Sequence, residues 1–120
     1  MGRVVFSNLD GRVASQLANL LLADGHHIQR ETYNVALQEL LHADIVFIGG
    51  QGDQYLSLLR RVRAIDPLLP LVVVTRLPET TEWLNALEAG ATDYCTSPFH
   101  PYQIRSLIAP ATAQRAAAGG

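Results

Sequence analysis

The 120 residues suit one domain, large enough to bury one core and too small for two. A hydrophobic fraction of 48% is that of a globular protein, and a net charge of −2 gives no field to draw the chain to nucleic acid or anionic lipid. No apolar run approaches the ~18 residues of a membrane span, and no signal-peptide pattern precedes the first strand-like run. The single Cys95 cannot form an internal disulfide, so a cytoplasmic location is expected. All nine basic residues are Arg; the chain contains no Lys.

The elements follow from periodicity and punctuation. Arg3 to Ser7 is a β-branched and aromatic strand, closed by the turn signal Asn8-Leu9-Asp10-Gly11. Val13, Leu17, Leu20 and Leu21 recur at helical spacing up to Asp24-Gly25, with Gly25 as the cap. His26 to Glu31 is a weak strand, and Val35 to Leu41 repeats with helical period. The apolar run Ile45 to Ile48 ends at Gly49-Gly50. Leu56, Leu59, Val62 and Arg63 mark a third helix, stopped by Asp66-Pro67. Leu71 to Thr75 is the clearest strand. Glu79 to Ala89 is helical, capped by Gly90; Asp93 to Thr96 is a fifth strand. Pro101 suits the first turn of a last helix carrying Ile104, Leu107 and Ile108.

Five strands alternate with helices, and the two central strands are apolar without alternation, as when helices cover both faces. This predicts an α/β fold: a (βα)5, doubly wound, parallel five-stranded sheet in the flavodoxin-like order 2-1-3-4-5. The domain is expected to span 1–109. The Ala-, Thr- and Gly-rich stretch 110–120 reads as a flexible tail or the start of a linker.

Glu-Ala-Gly-Ala-Thr-Asp-Tyr (Glu88 to Tyr94), followed by Thr-Ser-Pro-Phe (Thr96 to Phe99), resembles the receiver domain of bacterial two-component response regulators. There an Ala-Gly-Ala helix end leads to a fifth strand closing on Lys-Pro-Phe. Ala43 to Gly49 resembles that family's third strand, which ends in the phosphorylated Asp, and Leu69 to Thr75 its fourth, with a terminal Thr. The likeness covers Arg3 to Ala109.

The resemblance implies a site of two acids after the first strand, an Asp nucleophile, a Lys and a Ser/Thr. Mg²⁺ wants hard anionic oxygens, an acyl phosphate needs a carboxylate, and cations must neutralise the transferring group. In this chain the acidic pair falls on Asn8 and Leu9, with Asp10 next to them. The phosphoacceptor falls on Gly49, with Asp53 the nearest acid; the Lys falls on Ser97; only Thr75 matches. Tyr94 matches an aromatic ring that switches between inward and outward. The resemblance also implies a cis Ser97–Pro98 bond. Nucleophile, metal site and cation are all replaced, so the expectation is a pseudo-receiver: no enzyme, no cofactor, no bound metal.

Other residues have weaker claims. Gly49 to Gly52 is a glycine-rich turn before a helix, the one candidate phosphate or nucleotide cradle, but without the Lys-Ser/Thr of a P-loop. It supports the alternative of a small-ligand or nucleotide-binding flavodoxin-like protein. Arg76 is a candidate internal cation, pairing with Asp10 or Asp53. Arg60, Arg61 and Arg63 suit a solvated helix C-terminus or an acidic partner. His26 and His27 point to opposite faces of a strand, and Cys95 is expected to be buried and inert. On the helix Glu79 to Ala89, Leu84, Leu87 and Ala91 are expected to face the core and Trp83 the solvent. Trp83, Tyr94 and Tyr102 form the expected partner face. It would serve a protein partner, an attached output domain or a homodimer built on that helix, the fifth strand and the last helix.

Overall fold

The computed structural model describes residues 3–31, 40–50, 52–75, 80–96 and 99–119. In chain order they form β1 (Arg3–Ser7), α1 (Gly11–Ala23), β2 (His27–Glu31), β3 (Ile45–Ile48), α2 (Gly52–Ile65), β4 (Leu71–Thr75), α3 (Thr80–Ala89), β5 (Asp93–Thr96) and α4 (Pro101–Gly119). The strands make one sheet in the order β2-β1-β3-β4-β5, as expected, and every pairing is parallel. Of the helix expected over Val35 to Leu41, Leu40 and Leu41 are described and helical, with Leu40 fully buried; residues 32–39 lie outside the described set.

The pleat sorts the apolar residues into two cores. Val4, Phe6, Ile45, Phe47, Val72 and Val74 point to the face covered by α1 and α4, where they meet Leu17, Leu21, Ile104 and Ile108. Val5, Val46, Ile48, Leu71 and Val73 point to the other face, under Tyr55, Leu59 and Val62 of α2 and Ala86 and Ala89 of α3. Each fully buried Val, Leu, Ile or Phe among them contributes roughly 1.5–3 kcal/mol. Phe6 and Phe47, opposite one another in register, stack edge to face at 5.9 Å and 90°. The weak sequence signal of β2 has a cause: it is an edge strand and stays partly exposed.

Two helices end in the same way. In α1 the Gly25 N–H donates to the Leu22 carbonyl at 3.0 Å and the His26 N–H to Leu21 at 3.2 Å. In α3 the Gly90 N–H donates to Leu87 at 3.1 Å and the Ala91 N–H to Ala86 at 3.0 Å. Gly25 (φ 82°) and Gly90 (φ 115°) occupy the left-handed position this motif requires.

One expectation is corrected. Leu84 does not face the core but is 49% exposed: α3 buries the small pair Ala86 and Ala89, which lets it lie close on α2 and turns Leu84 outward. The last helix, α4, runs on past Ala109 to Gly119, with Ala111 buried against the α1-side core. Alanine is the best helix former, and here it outweighs the hydrogen bond that Pro110 removes inside the helix.

Candidate functional site at the carboxyl edge of the sheet

In an open α/β sheet, ligands meet the chain at the carboxyl ends of the strands, beside the point where strand order reverses. Here that point lies between β1 and β3, where Ser7 pairs with Ile48 and the Gly49 N–H donates to the Ser7 carbonyl at 2.9 Å. Asn8 then takes a left-handed conformation (φ 57°), which Asn tolerates better than most residues, and turns the chain across Gly49. A Cβ placed on Gly49 would lie 2.9 Å from the Asn8 carbonyl oxygen, 3.0 Å from Leu9 Cδ2 and 3.2 Å from Leu9 Cα. Leu9 also packs against the α1-side core. The space where the resemblance would place a carboxylate is therefore occupied by backbone and by a leucine.

The neighbouring acid is committed to the fold. Asp10 is the N-cap of α1: its Oδ1 accepts from the Arg12 N–H at 2.9 Å, and its carbonyl accepts from the Ala14 N–H at 2.8 Å. Thr75 is half-buried at the end of β4, in register with Thr96. Ser97, with its expected cis bond to Pro98, and Arg76, the candidate internal cation, lie outside the described residues, as does the Asp53 side chain. In the Gly49–Gly52 turn, Gly49 is buried and Gly50 is exposed with φ 107°; Gln51 is also outside the described set. Among the described residues, no group of three or more His, Cys, Asp or Glu is placed to hold a metal.

Of the expected partner face, Trp83 is 43% and Tyr102 74% exposed, while the Tyr94 hydroxyl is buried and its ring packs on the α2/α3-side core. Cys95 is buried as expected. Burial, and then the nearby Asp93 charge, push its thiol up to about 12, which removes its nucleophilic form at neutral pH.

One residue read as surface is structural. Arg60 and Arg61 are exposed, but Arg63 is half-buried, and burial lowers its guanidinium from the ordinary value. Its Nε–H donates to the Gly90 carbonyl at 2.7 Å, Nη1 to the Asp66 carbonyl at 3.1 Å and Nη2 to Thr92 Oγ1 at 3.2 Å. Thr92 Oγ1 also accepts from the Leu71 N–H at 3.0 Å. Arg63 thus ties the ends of α2 and α3 to the starts of β4 and β5. A side chain at Gly90 would collide with it. The sequence signal was present but double: Arg63 falls on the apolar stripe of its helix as well as in the basic cluster.

The order 2-1-3-4-5, with its reversal between β1 and β3, and the helices packed on both faces define a flavodoxin-like α/β domain. No family model matches the sequence. The chain is 32% identical over 88 residues to the phosphate regulon transcriptional regulatory protein PhoB of Klebsiella pneumoniae, which covers 68% of this chain and 38% of that protein. It is 43% identical over 64 residues to the transcriptional regulatory protein PhoP of Escherichia coli K12, covering 53% and 29%. The chain therefore aligns with little more than a third of these relatives' length at most. In structure it superposes with a TM-score of 0.76 and 25% identity on a response regulator, so described, of Chloroflexus aurantiacus J-10-fl, covering 90% of this chain and 98% of that one. The chain belongs with the response-regulator receiver domains.

Proposed function

We propose that this receiver domain has given up Asp phosphorylation and acts as a protein-interaction and dimerisation module of a cytoplasmic signalling protein, without enzymatic activity. The observation that carries the reading is the packing of Gly49. Its residue type supplies no carboxylate, and its surroundings leave no room for one without moving the Asn8 backbone. Three further features support it. Leu9 stands where an acid would help hold Mg²⁺, and Asp10 is engaged as a helix cap. No Lys exists in the chain to hold a phosphoryl oxygen. No helix of the described residues is long and apolar enough to cross a membrane. The reader of the module would be a protein partner, a second copy or an attached output domain. The matched relatives are transcriptional regulatory proteins more than twice as long as the matched region.

Incubation with acetyl phosphate and Mg²⁺ tests this directly. The expected result is no gain in mass and no shift in thermal midpoint with beryllofluoride. A hydroxylamine-sensitive adduct would overturn the reading.

A further inference from the structure

α4 begins as α1 does, but under a different kind of cap. Its first residue, Pro101, has no N–H to satisfy, which suits the start of a helix. The next donor, the Tyr102 N–H, donates to Nδ1 of His100 at 3.1 Å, and the Ile104 N–H donates to the His100 carbonyl at 3.2 Å. At the head of α1, Asp10 accepts from the second and fourth residues after it in the same way. His100 thus stands at the N-cap of α4, where Ser, Thr, Asp or Asn is the usual choice.

The difference is chemical. A carboxylate accepts throughout the neutral range, whereas an imidazole nitrogen accepts only while it carries no proton. Acceptance at Nδ1 selects the neutral ring with its proton on Nε2. Protonation then acts twice. It turns Nδ1 into a donor aimed at another donor, and it sets a positive charge at the positive end of the helix dipole. No acid stands in the first turn of α4 to offset that charge. The charges on the elements packed against α4 are engaged or remote. Arg105, one turn on, pairs with Asp24 of α1. Asp10 caps α1, and Arg12 beside it is exposed. Arg3 of β1 and Asp93 of β5 stand at the amino ends of their strands, while α4 starts beyond the carboxyl end of β5. Among the described residues His100 forms no ion pair, and it is exposed to solvent.

We infer that His100 is a pH-sensitive cap, which orders the first turn of α4 only while its imidazole is neutral. The bonded form is the unprotonated one, so the cap is present above the range in which histidines titrate, roughly pH 5–8, and is lost as the pH falls through it. The turn it controls carries Tyr102, the most exposed large side chain among the described residues. Tyr102 is also part of the proposed interaction face, so that face is ordered at neutral pH and loosened in acid. This consequence rests on the interaction reading; the cap itself does not.

NMR on the whole chain, with no partner present, tests the cap separately from the interaction reading. Ring ¹⁵N shifts report which imidazole nitrogen holds the proton, and amide exchange reports the Tyr102 hydrogen bond. The expected result is a neutral ring protonated on Nε2 at about pH 8. Between roughly pH 8 and 5.5 the protection of the Tyr102 amide, corrected for the intrinsic effect of pH on exchange, should fall about fivefold, the size of a typical N-cap. The fall should track the charging of the His100 ring. His100→Asn supplies a side-chain oxygen that accepts at either pH, so protection should stay high throughout. His100→Ala should be poorly protected at both. The position is exposed, so both variants should fold, and circular dichroism checks that they do. A ring protonated on Nδ1 at pH 8, a Tyr102 amide in the parent indifferent to pH, or the same acid-dependent fall in His100→Asn would each overturn the inference. Partner binding that fails to follow pH while the cap does would instead count against Tyr102 as part of the working face.

Discussion

The substitution Gly49→Ala probes the reasoning at its narrowest point. The added Cβ would sit 2.9 Å from the Asn8 carbonyl oxygen and 3.0 and 3.2 Å from two Leu9 carbons. Carbon contacts are most favourable at about 3.5–4.0 Å, so the two Leu9 contacts are short by several tenths of an ångström, and the one to the Asn8 oxygen is shorter still. Two of the three neighbours are backbone and cannot rotate away. Overpacking of this kind costs about 1–3 kcal/mol, offset by about 0.4–1 kcal/mol because Ala narrows the unfolded ensemble. The net expectation is a loss of roughly 1–2 kcal/mol, read as a lower urea midpoint at unchanged slope. For a domain of this size the thermal midpoint should fall by roughly 3–10 °C. In a Leu9→Ala background one of the three contacts disappears, so the same substitution should cost less, with a coupling of about 0.5–1 kcal/mol. Gly49→Asp should destabilise further and gain no phosphoryl acceptance, because it displaces the loop without restoring a metal site or a Lys. Gly49→Ala as stable as the parent, or Gly49→Asp labelled by acetyl phosphate, would refute the argument that the pocket is filled.

Three other outcomes follow from the structure. Arg63→Ala should cost about 2 kcal/mol by leaving the Gly90 carbonyl and the Thr92 hydroxyl without their charged donor; Arg63→Lys should recover little of it, since an ammonium cannot reach three acceptors with one planar fork. Cys95 should resist thiol reagents at pH 8 and react only at the rate of global unfolding; fast labelling of the folded protein would contradict its burial and its thiol raised to about 12. The Arg105 hydrogen bond holds the Asp24 carboxyl below its ordinary 3.8, so this pair favours folding above that pH and the contribution is lost as pH falls through the lowered value. Because the pair is exposed, the effect should be small and salt-sensitive; an NMR titration should place Asp24 below 3.8, and Arg105→Gln should move it back up.

The chain's own pattern determined the architecture. Five strand-like runs alternating with amphipathic stretches, with Ile45 to Ile48 and Leu71 to Val74 apolar throughout, admit few folds other than a covered parallel sheet. Gly25 and Gly90 marked their helix ends because few other residues tolerate the positive φ found there. The missing Lys and the Gly at position 49 were equally legible, since a residue type is chemistry before it is geometry. Tertiary structure decided the rest. Leu84 matched the apolar period of its helix, yet the close approach of α3 to α2 through Ala86 and Ala89 turned it to solvent. Arg63 could have stood on a wet surface, and only the meeting of two helix ends made it a clamp for the Gly90 carbonyl. That Leu9 and the Asn8 carbonyl fill the space over Gly49 depends on a left-handed turn at Asn8 and on the parallel register of Ser7 with Ile48. Those contacts join residues some forty positions apart. Periodicity reports which side of its own element a residue faces, and only the packed elements fix what it meets there.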